Sequence, residues 1–321
     1  MNRSTAPANR DWASRRVLVT GANGFVGRWL VETLAARGAK VHALIRGSAE
    51  NFSHAGKINY VHGSVTDLNF ISQIVNDANV EIVFHLAAIN TNTGDRISPY
   101  DIFEINTRGT YTILEACRKA PKPVPAVIAS SKEVEDCFCP ASGRKHHPYM
   151  VSKAATELIA RTYFDAANLP VTLVRLDNVY GGGDFNWNRL IPGMIRTVLR
   201  GERPVIRSNG LFERDYVYVE DAVAAFLAIG ERIEQPGVQG QLFRVATGVK
   251  TSVLSVVQQI IQLAGQPDLT PQVLNEKTEA RVDAAYAPEL EKRILGWLSR
   301  ISLAEGLART CRWYQNYFQK E

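Results

Sequence analysis

The sequence predicts an α/β chain built as a doubly wound parallel sheet, with a smaller C-terminal region that binds the substrate. Three observations predict it. A β-branched run, Arg16-Val17-Leu18-Val19-Thr20, passes into the glycine turn Gly21-Ala22-Asn23-Gly24-Phe25-Val26-Gly27 and then into a helical pattern. Short apolar strands and amphipathic stretches then alternate to about residue 175, the pattern of βαβ units. The length of 321 residues leaves room for a second region beyond one common domain. Hydrophobic residues make up 45% and charged residues 21%, which excludes a disordered or collagen-like chain. No apolar run approaches the roughly 18 residues needed to cross a bilayer. The N-terminal stretch lacks the apolar core of a secretory signal. Cys117, Cys137, Cys139 and Cys311 have no zinc-ribbon spacing and read as free thiols of a cytoplasmic protein; no residue is assigned to a metal. The net charge of +5 is scattered, which points away from nucleic acid and toward a small anionic ligand.

Taken in order, the first strand and its glycine turn are the most informative segment. Gly21, Gly24 and Gly27 stand where a Cβ would block the close approach of a pyrophosphate to backbone N–H groups. The following helix, which stops at Gly38, offers the positive end of its dipole to the same phosphates. The fold is therefore expected to be of Rossmann type, holding a dinucleotide. The second strand, Val41 to Ile45, ends at Arg46 rather than at an acidic residue. A carboxylate there would accept from a ribose 2′-hydroxyl, whereas a guanidinium pairs with a 2′-phosphate. NADP is accordingly favoured slightly over NAD. A strand is expected at Ile58 to His62, a helix at Phe70 to Val75 and a buried strand at Ile82 to Leu86. A helix follows over Tyr100 to Arg118, then a strand from Val124 to Ala129 ending at Ser130-Ser131. A helix from Tyr149 to Asn168 and a strand from Val171 to Arg175 complete the alternation. Beyond Gly181-Gly182-Gly183 the pattern is less regular, with helical runs at Arg189–Arg200, Asp221–Ile229 and Val253–Leu263 expected to cap the strand ends.

Tyr149-Met150-Val151-Ser152-Lys153 places a phenol and an ammonium four residues apart on one helix face. An ammonium near a phenol favours the phenolate, which makes the pair a proton shuttle for an alcohol. Ser131, at the end of the preceding strand, completes a Tyr–Lys–Ser set. With the glycine turn, the chain resembles the extended short-chain dehydrogenase/reductase family, over nearly its whole length from Val17 to about Trp297. His85-Leu86-Ala87-Ala88, Asn106 with Gly109-Thr110, and Asn178-Val179-Tyr180-Gly181 carry the resemblance. So do Arg214-Asp215-Tyr216-Val217-Tyr218-Val219-Glu220-Asp221 and Leu295-Gly296-Trp297. The last segments resemble those of nucleotide-sugar epimerases and dehydratases.

The resemblance implies the remaining roles. Gly21, Asn23, Gly24, Phe25, Val26 and Gly27 line the pyrophosphate. Arg46, Ser64 and Val65 lie at the adenosine end, and Leu86, Ala87, Ala88, Asn106, Tyr149 and Lys153 at the nicotinamide ribose. Asn178, Arg189 and Arg214 meet the diphosphate of the sugar nucleotide or the sugar beside it, with Arg207 and Arg281 as companions. Arginine forks suit such an anion. The division implied puts residues 1–177 and 216–248 with the dinucleotide and residues 178–215 and 249–321 with the nucleotide sugar. It also implies a homodimer through the Tyr100–Arg118 and Tyr149–Asn168 helices.

The reaction turns on Ser131-Lys132-Glu133. All members start by oxidising carbon 4 of the sugar, with Tyr149 taking the hydroxyl proton. A 4-epimerase returns the hydride after turning the ketone. A 4,6-dehydratase also needs a base for the carbon-5 proton and an acid for the departing carbon-6 hydroxyl. Sugar dehydratases carry a carboxylate where Glu133 stands, so Glu133 is the expected base and 4,6-dehydration the leading reading. Lys132 replaces the aspartate that often serves as acid, and the loop before Tyr149 is short; both favour the 4-epimerase alternative. A uronate decarboxylase, a 4-ketoreductase and a non-catalytic dinucleotide sensor are the remaining alternatives. His146 and His147 read as loop residues.

Overall fold

The computed structural model describes residues 11–47, 58–90, 97–138, 146–277 and 286–320. Its first half runs β1 (Arg16–Thr20), α1 (Phe25–Ala36), β2 (Lys40–Ile45), β3 (Ile58–His62), α2 (Leu68–Asp77), β4 (Ile82–His85), α3 (Pro99–Ile102), a π-helical segment Phe103–Arg108, α4 (Gly109–Lys119), β5 (Ala126–Ser131), α5 (Val134–Cys137) and α6 (Pro148–Ala167). The second half runs β6 (Val171–Leu176), β7 (Asn178–Tyr180), α7 (Leu190–Leu199), β8 (Val205–Ser208), β9 (Glu213–Tyr218), α8 (Val219–Arg232), β10 (Leu242–Val245), β11 (Lys250–Ser252), α9 (Val253–Leu263), β12 (Gln272–Lys277), α10 (Glu289–Leu295) and α11 (Leu303–Phe318).

Among the described residues, the main sheet has seven strands in the order β10-β6-β5-β4-β1-β2-β3, all parallel. Strand side chains alternate between faces, so a strand covered on both sides must be apolar throughout. β1 shows this: Val17 and Val19 join the core against α1 and α8, while Leu18 joins the core against α2, α4 and α6. The chain runs outward from β1 through α1 to β2 and β3, then crosses back through α2 to β4 on the other side of β1. A crevice therefore opens beyond their carboxyl ends, where doubly wound sheets take their ligands.

A third core, built by α7, α9, α11 and Tyr216 and Tyr218 of β9, stands apart from these two. Over it lie a three-stranded sheet, β11-β9-β7, and the pair β12-β8. α8 and β10 pack with the main sheet even though they follow β7 to β9 in the chain.

Several elements differ from the sequence reading. The helix expected over Tyr100 to Arg118 is divided: α3 gives way to the π-helical turn Phe103–Arg108 before α4 resumes. Such insertions shift side-chain direction and are frequent at functional sites; here the turn carries Asn106, 1% exposed, inward. β10 was not anticipated because Arg244 interrupts its apolar run. In place, that guanidinium forms a two-pronged pair with Asp177, at 2.8 and 3.0 Å. α11 was missed as well, although Ser302-Leu303-Ala304-Glu305 carries the capping signature and Ser302 Oγ accepts from the Glu305 N–H.

Candidate active site

The crevice at the β1/β4 switch is a cleft of about 220 Å³. Gly21, Asn23, Gly24, Arg46, Ser64, Val65, Leu86, Ala87 and Ala88 all line it. Gly21 sits at φ +67, and a Cβ on it would come within 2.7 Å of the Ala87 nitrogen. A Cβ on Gly27 would collide with the Gly21 carbonyl, so only glycine lets α1 approach β1 this closely. The start of α1 has no side-chain cap and no acidic residue in its first turn. By contrast α2, α9 and α11 are capped by Asp67, Ser252 and Ser302. Uncapped N–H groups beside a glycine cradle suit a pyrophosphate, so the residues present fit a dinucleotide. Phe25 and Val26 form the first turn of α1, and their side chains pack into the neighbouring cores rather than into the cleft. Asn106 corrects its expected role. Its amide donates to the Ile89 carbonyl and Ser152 Oγ and its oxygen accepts from the Ile89 N–H. It thus ties the segment after β4 to α6 and has its hydrogen-bonding groups engaged by protein.

At the carboxyl end of β5, Ser131 hydrogen-bonds the Tyr149 phenol, and Glu133 and Arg189 lie close enough to act on it electrostatically. The phenol is pushed up to about 12, chiefly by burial and then by the Glu133 charge, against Arg189 and the Ser131 hydrogen bond. The sequence reading had Lys153 holding this group as phenolate. In the structure Lys153 Nζ donates to the Ala129 carbonyl at 2.9 Å, and burial is the largest influence on the phenol. Desolvation disfavours the charged form of both groups.

Burial also brings Lys153 down to about 8, with Glu157 resisting. Its unfolded value is about 10.4, so between these values the folded chain binds fewer protons than the unfolded chain. Stability at this position therefore rises across that window and is level below it. Relative to Lys153→Met, the protein should gain about 2 kcal/mol between pH 8 and pH 10, read by urea denaturation at each pH. Beneath the set, His85 is fully buried and pulled down to about 3 by desolvation and then by Lys153. It is neutral and shares hydrogen bonds with Thr20 and Thr110.

Glu133 ends beside His147, with Oε2 and Nε2 3.1 Å apart. His147 is therefore part of this cluster, which the sequence reading did not foresee. Lys132, which stands where an aspartate often serves as acid, has its Nζ 4.0 Å from Asp177 Oδ2, so the doubt over a standard acid step holds in the structure. That carboxylate belongs to a larger charged network. Arg244 holds Asp177 and also Glu135, which in turn meets Arg175, and Arg175 grips Glu157 with two bonds of 2.7 Å. Glu135 thus fastens the segment after β5 to Arg175 of β6 and Arg244 of β10.

The expected substrate residues are less tightly gathered. Asn178 donates to the Asp215 carbonyl, which joins β7 to β9. Arg189 pairs with Asp184 at 2.9 Å and lies near Tyr149. Arg207 on β8 and Arg214 on β9 are exposed and stand apart from the Tyr149 group. Arg281 and Cys139 lie outside the described residues. No helix among the described residues is long and apolar enough to cross a membrane.

A parallel doubly wound sheet, a glycine cradle at its switch point and a Tyr–Lys–Ser set on the next strand and helix define an enzyme of the extended short-chain dehydrogenase/reductase type. Residues 17–246 match the model of the NAD dependent epimerase/dehydratase family, and the chain belongs to that family. Among its relatives, the UDP-glucose 4-epimerase of Mycolicibacterium smegmatis is 32% identical over 95% of this chain and 100% of its own length. The dTDP-D-glucose 4,6-dehydratase of Bos taurus is 25% identical over 96% of this chain and 91% of its own. The solved structure of Thermotoga maritima UDP-glucose 4-epimerase with UDP-glucose superposes at a TM-score of 0.79. It is 26% identical, covering 94% of this chain and 99% of that one.

Proposed function

We propose that the chain is a nucleotide-diphosphate-sugar 4,6-dehydratase that yields a 4-keto-6-deoxy sugar. The observation that carries this reading is Glu133, a carboxylate close enough to Tyr149 to raise its pKa and placed on the same short loop as Ser131. A 4-epimerase needs nothing beyond the Tyr–Lys–Ser set, whereas elimination across carbons 5 and 6 needs a base at that side of the ring. In this reading Tyr149 takes the carbon-4 hydroxyl proton and Ser131 orients the phenol. A bound oxidised nicotinamide supplies the hydride acceptor and a positive charge close to the phenol. Lys153 holds the ribose side, residues 1–177 and 216–248 carry the dinucleotide, and residues 178–215 and 249–321 the sugar nucleotide. Asn178, Arg189, Arg207 and Arg214 are the described candidates for its diphosphate and sugar, with Arg281 carried from the sequence alone. Incubation with UDP-, GDP-, CDP- and dTDP-hexoses should give a product 18 mass units lighter; conversion at unchanged mass would remove the dehydratase reading.

The second reading, 4-epimerisation, is favoured by the 32% identity to the mycobacterial epimerase and by Lys132 being paired with Asp177. It predicts two interconverting sugars of equal mass.

For the cofactor, the preference for NADP rests on Arg46, which lines the cleft mouth after β2 with no carboxylate at Ile45. Arg46→Ala should raise KM for NADP about tenfold and leave that for NAD within about twofold, measured by initial rates with each cofactor. A cytoplasmic location agrees with the free thiols Cys117, Cys137 and Cys311. The homodimer expected through the α3–α4 and α6 region is supported by Tyr100 and Leu158, exposed at 71% and 61%. An apolar surface of this kind invites cover by a second copy, and sedimentation equilibrium reads the outcome.

A further inference from the structure

We infer that His147 is the proton partner of Glu133, the group through which one carboxylate can serve carbon 5 as base and the carbon-6 hydroxyl as acid. This inference rests on the 4,6-dehydratase reading and supplies what that reading lacks once Lys132 is paired with Asp177.

Three observations converge on it. First, His147 Nε2 and Glu133 Oε2 are 3.1 Å apart, within reach for proton exchange, and the imidazole stacks at an interplanar angle of 10° on the Tyr149 ring. The pair therefore stands against the phenol that handles carbon 4. Second, His147 occupies the N-cap of the 20-residue helix α6, yet makes no capping hydrogen bond. Serine, threonine, aspartate or asparagine would serve that position better. The ring's polar edge is given to Glu133 instead, at a cost to the helix. Third, Nδ1 is buried and has no hydrogen-bond partner among the described residues. A histidine held for structure usually has its tautomer pinned by a bond at the second nitrogen. No such bond is present among the described residues, so no contact at Nδ1 fixes which ring nitrogen carries the proton.

The proton balance closes within the pair. At carbon 5 the C–H bond breaks, its proton goes to Glu133, and its electron pair forms the bond to carbon 6. The carbon-6 C–O bond breaks onto oxygen, which leaves as water with one proton from the Glu133–His147 pair. Hydride taken at carbon 4 is returned to carbon 6, and carbon 5 regains a proton that the pair draws from solvent. His147 acts through Glu133 and is a positioning residue.

The titratable and charged groups near the pair are Tyr149 on α6, on which Glu133 and Arg189 at the start of α7 both act, and, in the adjoining chain, Lys132, Glu135 and His146. Tyr149 stands at about 12 and Lys153 at about 8, and arginine keeps its charge throughout. A limb of the kcat profile between about pH 5 and 8 is the range in which a histidine changes charge.

The test compares the wild-type enzyme with H147Q, which keeps a hydrogen bond to Glu133 without titrating, and with H147S, a better helix cap. Each is run in D2O on the converted sugar nucleotide, with carbon-4 oxidation followed separately as the single-turnover rise at 340 nm. In both variants kcat for dehydration and deuterium entry at carbon 5 should fall at least tenfold, and the limb between pH 5 and 8 should vanish. KM and the 340 nm rise should stay within about threefold, and Tm should be unchanged in H147Q and unchanged or raised in H147S. Wild-type kcat and profile in H147Q would overturn the inference and leave the dehydratase reading standing. A lowered Tm that accounts for the lost activity would also overturn it, by assigning His147 to structure. A wild-type enzyme that turns over with no deuterium at carbon 5 would overturn both.

Discussion

Tyr149→Phe lowers kcat by about 10²–10⁴-fold, the contribution usual for a positioned acid–base group, while dinucleotide affinity stays within about threefold. The separation follows from where the parts lie. The cleft that fits the dinucleotide lies at the β1/β4 switch, with the Gly21–Gly27 turn and the uncapped start of α1. The phenol sits beyond the end of β5, hydrogen-bonded to Ser131. Removing one oxygen leaves that cradle intact and removes the acceptor of the carbon-4 proton. The pH dependence has a definite sign. Because burial and Glu133 hold the phenol near 12, it is neutral at pH 7, and the fraction able to accept a proton rises with pH. The carbon-4 oxidation step should therefore accelerate with pH through the neutral range, with the acid limb moved down by the charge of a bound oxidised cofactor. Stopped-flow absorbance at 340 nm across pH 6 to 9 measures the step, and a fluorescence titration measures the affinity. A variant that retains wild-type turnover would remove Tyr149 from the chemistry.

Glu133→Gln is expected to separate the two halves of the reaction. Dehydration should fall by about 10²–10⁴-fold, because an amide cannot take the carbon-5 proton. Carbon-4 oxidation should persist and even quicken near neutral pH. Glu133 is one of the two influences that raise the Tyr149 phenol, so neutralising it lets the phenolate form at lower pH. Enzyme mixed with substrate should then accumulate reduced nicotinamide, seen as a lasting rise at 340 nm that the wild-type enzyme shows only briefly. Equal loss of both halves would mean that Glu133 holds the loop rather than the proton.

The parts of this site visible in the sequence are those whose physics is local. The Gly21–Gly27 turn demands glycine by contacts within one βα unit, and Tyr149 and Lys153 are related by helix spacing alone. Alternating apolar strands gave the sheet for the same reason. What stayed hidden depends on partners far apart in the chain. Lys132 was legible as a departure from the usual acid, but its partner was not: pairing β5 with β6 sets Ser131 opposite Leu176 and so brings Asp177 alongside. His147 looked like a loop residue because nothing in spacing relates it to Glu133, and its neighbour Pro148 signals only a helix start. The inward turn of Asn106 comes from a π-helical insertion, and a periodicity of 3.6 residues cannot register it. The desolvation that raises the Tyr149 phenol was hidden too, because spacing shows proximity but not burial.

The account's central claim is that Tyr149 opens the reaction at carbon 4 and that Glu133 then directs it to carbon 6. The most direct measurement follows the label in a converted NDP-hexose that carries deuterium at carbon 4. The account predicts that NMR finds the deuterium at carbon 6 of a 4-keto-6-deoxy product. Deuterium still bound to carbon 4, in a pair of equal-mass epimers, would contradict it.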